Sequence, residues 1–285
     1  MTSRTAYAYQ TLTHADISAH ALRVSVVATA DGPLQDLGLK PFDDKQQMFL
    51  NSNGDPRTLL EPVREGAILE DKGIKSLNHF YDPVYGRPLT VPGLKKLFRP
   101  LTSPDWALED QTTYSDQSYS LRDANEYLYT ALTSAMPQDQ NSSFGLLFET
   151  LGHVIHHVED MAQPQHVRND EHCYKWYWGP LENPSVYEDF TNDNKKEFPF
   201  GGYRAASFGS ARKYWYNGIK GSGSGISEFT KTNFVTVGTN FVVDDKGNPS
   251  SGREYASPTP EGEWENVLVT TLYRQLGKPP SMQPL

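Results

Sequence analysis

One helix constrains this chain more than any other feature. In SFGLLFETLGHVIHHVEDMA, residues 143–162, Phe144, Leu147, Leu151, Ile155 and Val158 recur at helical spacing and predict a single apolar stripe. Pro164 cannot continue the hydrogen-bond ladder, so the helix must stop just before it. The stretch His153 to His172 also carries five of the chain's eight histidines. A fold built on this helix must find partners for several imidazoles and carboxylates at its C-terminal end, or direct them at a ligand.

His156 and Asp160 are four residues apart and share one helical face, so an imidazole and a carboxylate can hold one cation. His166 follows just past the proline and can return towards the same region. Imidazole with carboxylate suits zinc. His157 points about 100° away from His156. His153 lies about a turn before His156, suited to supporting a ligand rather than being one. His20 is off the face of His14 and is read as an ordinary helix residue. The chain contains no His-Glu-x-x-His and no adjacent His-Asp pair, which excludes zincin-type and His-Asp hydrolase motifs.

The rest of the chain is expected to be mainly helical with long loops. Helices are expected over 15–29, with Thr13 as N-cap, and over SLRDANEYLYTALTSAMP, ended by Pro137. Shorter helices are expected in VPGLKKLFRP, SVYEDF and GGYRAASFGSARKYWYNG, with a last one in GEWENVLVTTLYRQLG closed by Gly277. Residues 30–90, rich in Gly, Pro, Asn and Asp, read as mainly loop. NFVVDDKGNPSSG reads as a hairpin or irregular loop. No linker divides the chain, so one all-α domain is expected over 1–277, followed by a flexible tail over 278–285.

With 285 residues and 37% hydrophobic content, the chain can bury a large core. A net charge of −9 disfavours binding through a basic surface to nucleic-acid phosphates, although bound cations reverse the sign locally. Cys173 is the one cysteine, which excludes an intrachain disulfide and a Cys-based zinc site. No transmembrane run and no signal-peptide stretch are seen, which leaves a cytoplasmic protein or one whose signal has been replaced.

The run His156-x-x-x-Asp160-x-x-x-Pro164-x-His166-x-x-Asn169 resembles the signature of the zinc-dependent phospholipase C family, whose fold is shared by zinc-dependent single-strand nucleases. Further pieces are similar in order: LTHADISAHAL supplies His14, GAILEDKGIKSLNHFYDP supplies Asp71 (or Glu70) and His79, and PSVYEDF supplies Glu188. The resemblance implies a helical bundle with long loops and two or three Zn²⁺ ions. Asp71, His79, His156 and Asp160 would hold one ion, with His14 beside Asp160 at the next and His166 with Glu188 at the third. Asp160 suits the bridge, since each of its two oxygens can face a different cation.

Two departures stand out. The family's His four residues before Glu188 falls at Pro184, so His172 is the substitute expected to complete the third site. The family's N-terminal Trp ligand has no counterpart, because the first Trp is Trp106. The resemblance implies hydrolysis of a glycerophospholipid by an activated water, with Asp71 and Asp160 catalytic and Phe80 and Tyr81 at the substrate. Single-strand nucleic acid is the alternative substrate, and metal binding without turnover the alternative class. A secreted or periplasmic monomer touching a membrane surface transiently is likewise implied. The aromatic run Tyr174 to Pro180 is left open between cleft wall and core.

Overall fold

The computed structural model describes residues 11–29, 32–89, 100–109, 117–170, 172, 185–195, 208–218 and 224–234. Eight α-helices and one two-stranded antiparallel ribbon are found among them: α1 (Thr11–Val24), α2 (Pro33–Asp36), β1 (Phe49–Leu50), β2 (Pro56–Arg57), α3 (Leu60–Glu70), α4 (Ser103–Leu108), α5 (Leu121–Thr133), α6 (Pro137–Asp160), α7 (Val186–Asn194) and α8 (Ile226–Asn233). The all-α expectation holds at this level. No helix among the described residues is long and apolar enough to cross a membrane.

The central helix α6 packs against α1, α3 and α5. Its outer half buries Phe144, Leu147 and Phe148 with Phe42, Phe49, Leu59, Leu60 and Val63. Of the expected stripe, Phe144 and Leu147 are buried, whereas Leu151, Ile155 and Val158 are only half-buried. The deeply buried face of the C-terminal half is polar instead: His153, His156, His157 and Asp160. A periodicity rule scores apolar side chains and cannot foresee a polar interior face.

Residues 32–89 are irregular over more than half of their length, as expected, but they also contain α3, which was not foreseen. Pro62 and Gly66 made this segment read as irregular, and each has a local reason to be there. Pro62 stands in the first turn of α3, where its missing N–H would have no partner within the helix. Gly66 lets α3 approach α6 closely: a Cβ there would lie 2.0 Å from the Glu149 carbonyl oxygen. Gly152 does the same from the other side, its Cβ falling 2.1 Å from the Val63 oxygen. This close crossing presents the C-terminal end of α3, with Glu70 and Asp71, to the histidines of α6.

Other boundaries shift. α1 begins before Thr13, which is buried inside the helix rather than capping it, and ends at Val24, followed by a 3₁₀ turn over Val26–Ala28. α5 ends at Thr133 rather than at Pro137. Pro137 opens α6, where proline is tolerated because the first-turn N–H needs no helical acceptor. α6 therefore starts six residues earlier than Ser143, through a polar first turn that offers no apolar signal. Ser185 caps α7, its side chain accepting from the Glu188 N–H. Of the helix expected in GGYRAASFGSARKYWYNG, a 3₁₀ turn over Ala211–Tyr214 is described. VPGLKKLFRP, the aromatic run from Tyr174, the hairpin, the last helix and the tail at 278–285 lie outside the described residues.

Candidate metal centre

Short turns deliver the polar groups to one place. After α3, Gly73 at φ 74° turns the chain into a 3₁₀ segment, Gly73–Asn78, that ends at His79. Past α6 a second 3₁₀ turn, His166–Arg168, ends at Asn169 in the left-handed region at φ 55°, a conformation that Asn tolerates. That turn sends the chain back so that His172 meets α7.

Four donor atoms converge on one point. His79 Nδ1 lies 3.2 Å and His156 Nε2 3.3 Å from Asp160 Oδ2. The two nitrogens are 3.3 Å apart, and each is 3.6 Å from Asp71 Oδ1. A tetrahedral zinc with ligands at about 2.0–2.1 Å separates them by about 3.3–3.4 Å. Five of the six edges of this donor set are thus close to what a zinc ion needs. Asp71, and not Glu70, is the carboxylate of α3 that joins this set.

The other oxygen of Asp160 faces elsewhere. Oδ1 lies 3.6 Å from His14 Nε2 and 3.3 Å from His166 Nδ1. Asp160 therefore stands between two groups of donors, one on each oxygen. A third group is formed by His166, His172 and Glu188. There His172 Nε2 lies 2.5 Å from Glu188 Oε1, and the His166 and His172 rings stack at 5.0 Å. His172, the expected substitute, thus lies beside His166 and Glu188; Pro184 itself lies outside the described residues.

Ring orientation follows from the remaining nitrogens. His156 Nδ1 is 2.8 Å from the Ala67 carbonyl and His172 Nδ1 is 3.1 Å from the Asp170 carbonyl, so each Nδ1 is an N–H donor and Nε2 is the nitrogen that faces the cluster. Both oxygens of Asp71 and of Asp160, both nitrogens of His166 and Glu188 Oε2 are buried without a hydrogen-bond partner. Buried polar atoms are almost always satisfied, so seven orphans in one cluster mark a site made for something other than hydrogen bonds.

The electrostatics favour positive charge here. Burial opposes charge on every one of these groups. Even so, the fields of His156, His79 and His166 hold the Asp160 carboxyl well below the ordinary range. Burial also disfavours a charged His156, yet Asp160 and Asp71 raise it to about 10. His172 is raised to about 9 against the same burial by Glu188. His14, His79 and His166 are lowered, chiefly by burial, so they stand as neutral imidazoles, the form that binds metals. Burial pushes Asp71 well above the carboxylate range.

Sequence reading missed two further carboxylate contacts. Glu159 Oε2 lies 2.6 Å from His14 Nδ1, and Ser18 donates to Glu159 Oε1 at 2.8 Å. Glu70 accepts from Trp106 Nε1 at 2.8 Å, with His157 Nε2 3.0 Å and His153 Nδ1 2.5 Å away. His157 continues to Ser103 Oγ at 3.1 Å. Glu70, His153 and His157 thus form a hydrogen-bonded layer behind the donor cluster. Hydrogen bonding from both imidazoles brings the Glu70 carboxyl well below the usual range, although burial opposes this. The one signal for Glu159 was the His14 and Ser18 pair, four residues apart on a shared face.

Phe80 is buried, its ring 4.5 Å from that of His166 and 5.8 Å from that of His172. Tyr81 is half-buried beside Tyr216, ring to ring at 6.5 Å. His20 is half-buried on α1. No family model, curated protein or solved structure matches this chain.

Proposed function

We propose that this chain is a zinc-dependent phosphodiester hydrolase of the phospholipase C type, acting on glycerophospholipids. The observation that carries the reading is Asp160: one buried carboxylate with two histidines on Oδ2 and two others on Oδ1. Asp71, His79, His156 and Asp160 would hold one ion, His14 and Asp160 a second, and His166, His172 and Glu188 a third. Bound zinc supplies Lewis-acid chemistry, lowering the pKa of a water to about 7 and offsetting charge on phosphoryl oxygens.

The residues themselves hold and orient. Asp71 turns one oxygen to the histidines and keeps the other to accept a proton from the attacking water. Water adds to phosphorus and the bond from phosphorus to the glycerol oxygen breaks. The proton that Asp71 accepted passes to the freed glycerol oxygen, so diacylglycerol leaves as the alcohol and the head group as a phosphomonoester. Phe80 packs against the imidazoles of the third group, and Tyr81 follows it, half-buried beside Tyr216. The mainly helical architecture is compatible with this reading, which also includes transient contact with a membrane surface.

The experiment is a paired assay on zinc-reconstituted protein. Phosphocholine released from phosphatidylcholine, lost on chelation and restored by zinc, supports the reading. Mononucleotides released from single-stranded DNA would instead make the chain a nuclease. Zinc uptake with neither product would make it a binding protein without turnover.

A further inference from the structure

Glu159 is the residue immediately before Asp160 on the last turn of α6, and it turns towards α1. Its Oε2 lies 2.6 Å from His14 Nδ1, and its Oε1 accepts from Ser18 Oγ at 2.8 Å. His14 and Ser18 are one turn apart on α1, so this carboxylate spans both of its oxygens along one helix face. The opposite nitrogen of His14, Nε2, faces Asp160 Oδ1 at 3.6 Å. Carboxylate, imidazole and metal-facing carboxylate thus stand in one line, with two adjacent residues of α6 at its ends.

We propose that Glu159 is the positioning residue for His14. By holding Nδ1 as N–H it commits Nε2 to the cation and makes that nitrogen a stronger donor. The proposal rests on the metal reading above and adds a residue to it.

The contrast with His156 gives the proposal its content. His156 Nδ1 meets the neutral carbonyl of Ala67 at 2.8 Å, whereas His14 meets a carboxylate. The carboxyl partner sits on the His14 nitrogen turned away from Asp160. His79, His156, Asp71 and Asp160 form a full set of four on one side. On the other, Asp160 Oδ1 has His14 and His166 at 3.6 and 3.3 Å, and Asp71 and His156 lie close enough to His14 to share a cation with it. Ser18 keeps the carboxylate from rotating away, because it holds the oxygen that His14 does not use.

The test is a zinc titration of the full-length metal-free chain against a competing chelator, with anomalous peak heights at limiting zinc assigning each ion. Glu159→Ala is expected to weaken the ion at His14 by about 10–100-fold, the usual cost of losing such a partner, with the other ions unchanged. Glu159→Gln keeps an oxygen for the Nδ1–H but carries no charge, so its loss falls between wild type and Glu159→Ala. Ser18→Ala gives a smaller loss at the same ion, and with Glu159→Gln it carries the test if Glu159→Ala does not fold. A lowered melting temperature of the metal-free variants with every affinity at the wild-type value would overturn the proposal, since Glu159 would then only join α1 to α6. Equal weakening of all ions would overturn it as well. A wild-type chain that takes up no zinc defeats the metal reading together with this one, whereas zinc-binding wild type with indifferent variants defeats this one alone.

Discussion

Asp160 is the residue on which the site turns, because its two oxygens face different histidines. Asp160→Asn keeps the shape and removes the charge. An amide binds zinc poorly and cannot balance two cations. The variant is expected to lose at least one ion per chain by elemental analysis. Hydrolysis should fall more than about 100-fold, beyond what loss of an outer partner costs. His172→Ala separates the third site from the other two. With His166 and Glu188 alone the site is underfilled, since even catalytic zinc keeps three protein ligands. One ion should be lost while the two flanking Asp160 remain, a result that residual occupancy at each site will show. The histidines of α6 were legible because helical spacing alone places His156 and Asp160 together. Glu159 and Glu70 were not, because their partners are 145 and 83–87 residues away in sequence and only the packing of α1 and α3 on α6 brings them together.

At the scale of elements, the α3–α6 crossing sets the site's dimensions. Its two glycines, Gly66 on α3 and Gly152 on α6, allow the close approach, and Gly66 together with Pro62 made α3 look like loop. Gly152→Ala would push a methyl against the Val63 carbonyl and the Ala67 nitrogen. Overpacking of this kind costs about 1–3 kcal/mol. The variant should melt several degrees lower. Because Ala67 orients His156, it should also bind the ion of the four-donor set more weakly. α8 carries a separate device. Lys231 is buried with Nζ 3.7 Å from Asp82 Oδ1. Burial lowers it to about 7; Asp82 opposes the shift, while Arg168 and Arg87 add to it. The folded pKa lies below the unfolded one, so between about 7 and 10.5 the unfolded chain binds more protons and stability rises with pH. Lys231→Met removes that slope. Melting curves should show wild type gaining on the variant by several degrees from pH 7 to 10; parallel curves would refute the assignment.

For the molecule as a whole, the fold class was legible in the strong helical periodicities, and the end of the polar helix in one proline. The interior was not. It holds Asp71, Asp160, Glu188, His14, His79, His156 and His166 at 1–2% exposure or less, an arrangement that hydrophobic patterning excludes by construction. Burying so many ionisable groups is costly unless cations compensate them. An ion that binds only the folded chain would stabilise it by mass action and so couple metal occupancy to folding. The most direct test of this account is the anomalous difference map of crystals of the zinc-loaded full-length protein. The account predicts one zinc on each oxygen of Asp160 and a third among His166, His172 and Glu188. A map in which Asp160 touches one ion or none would contradict it.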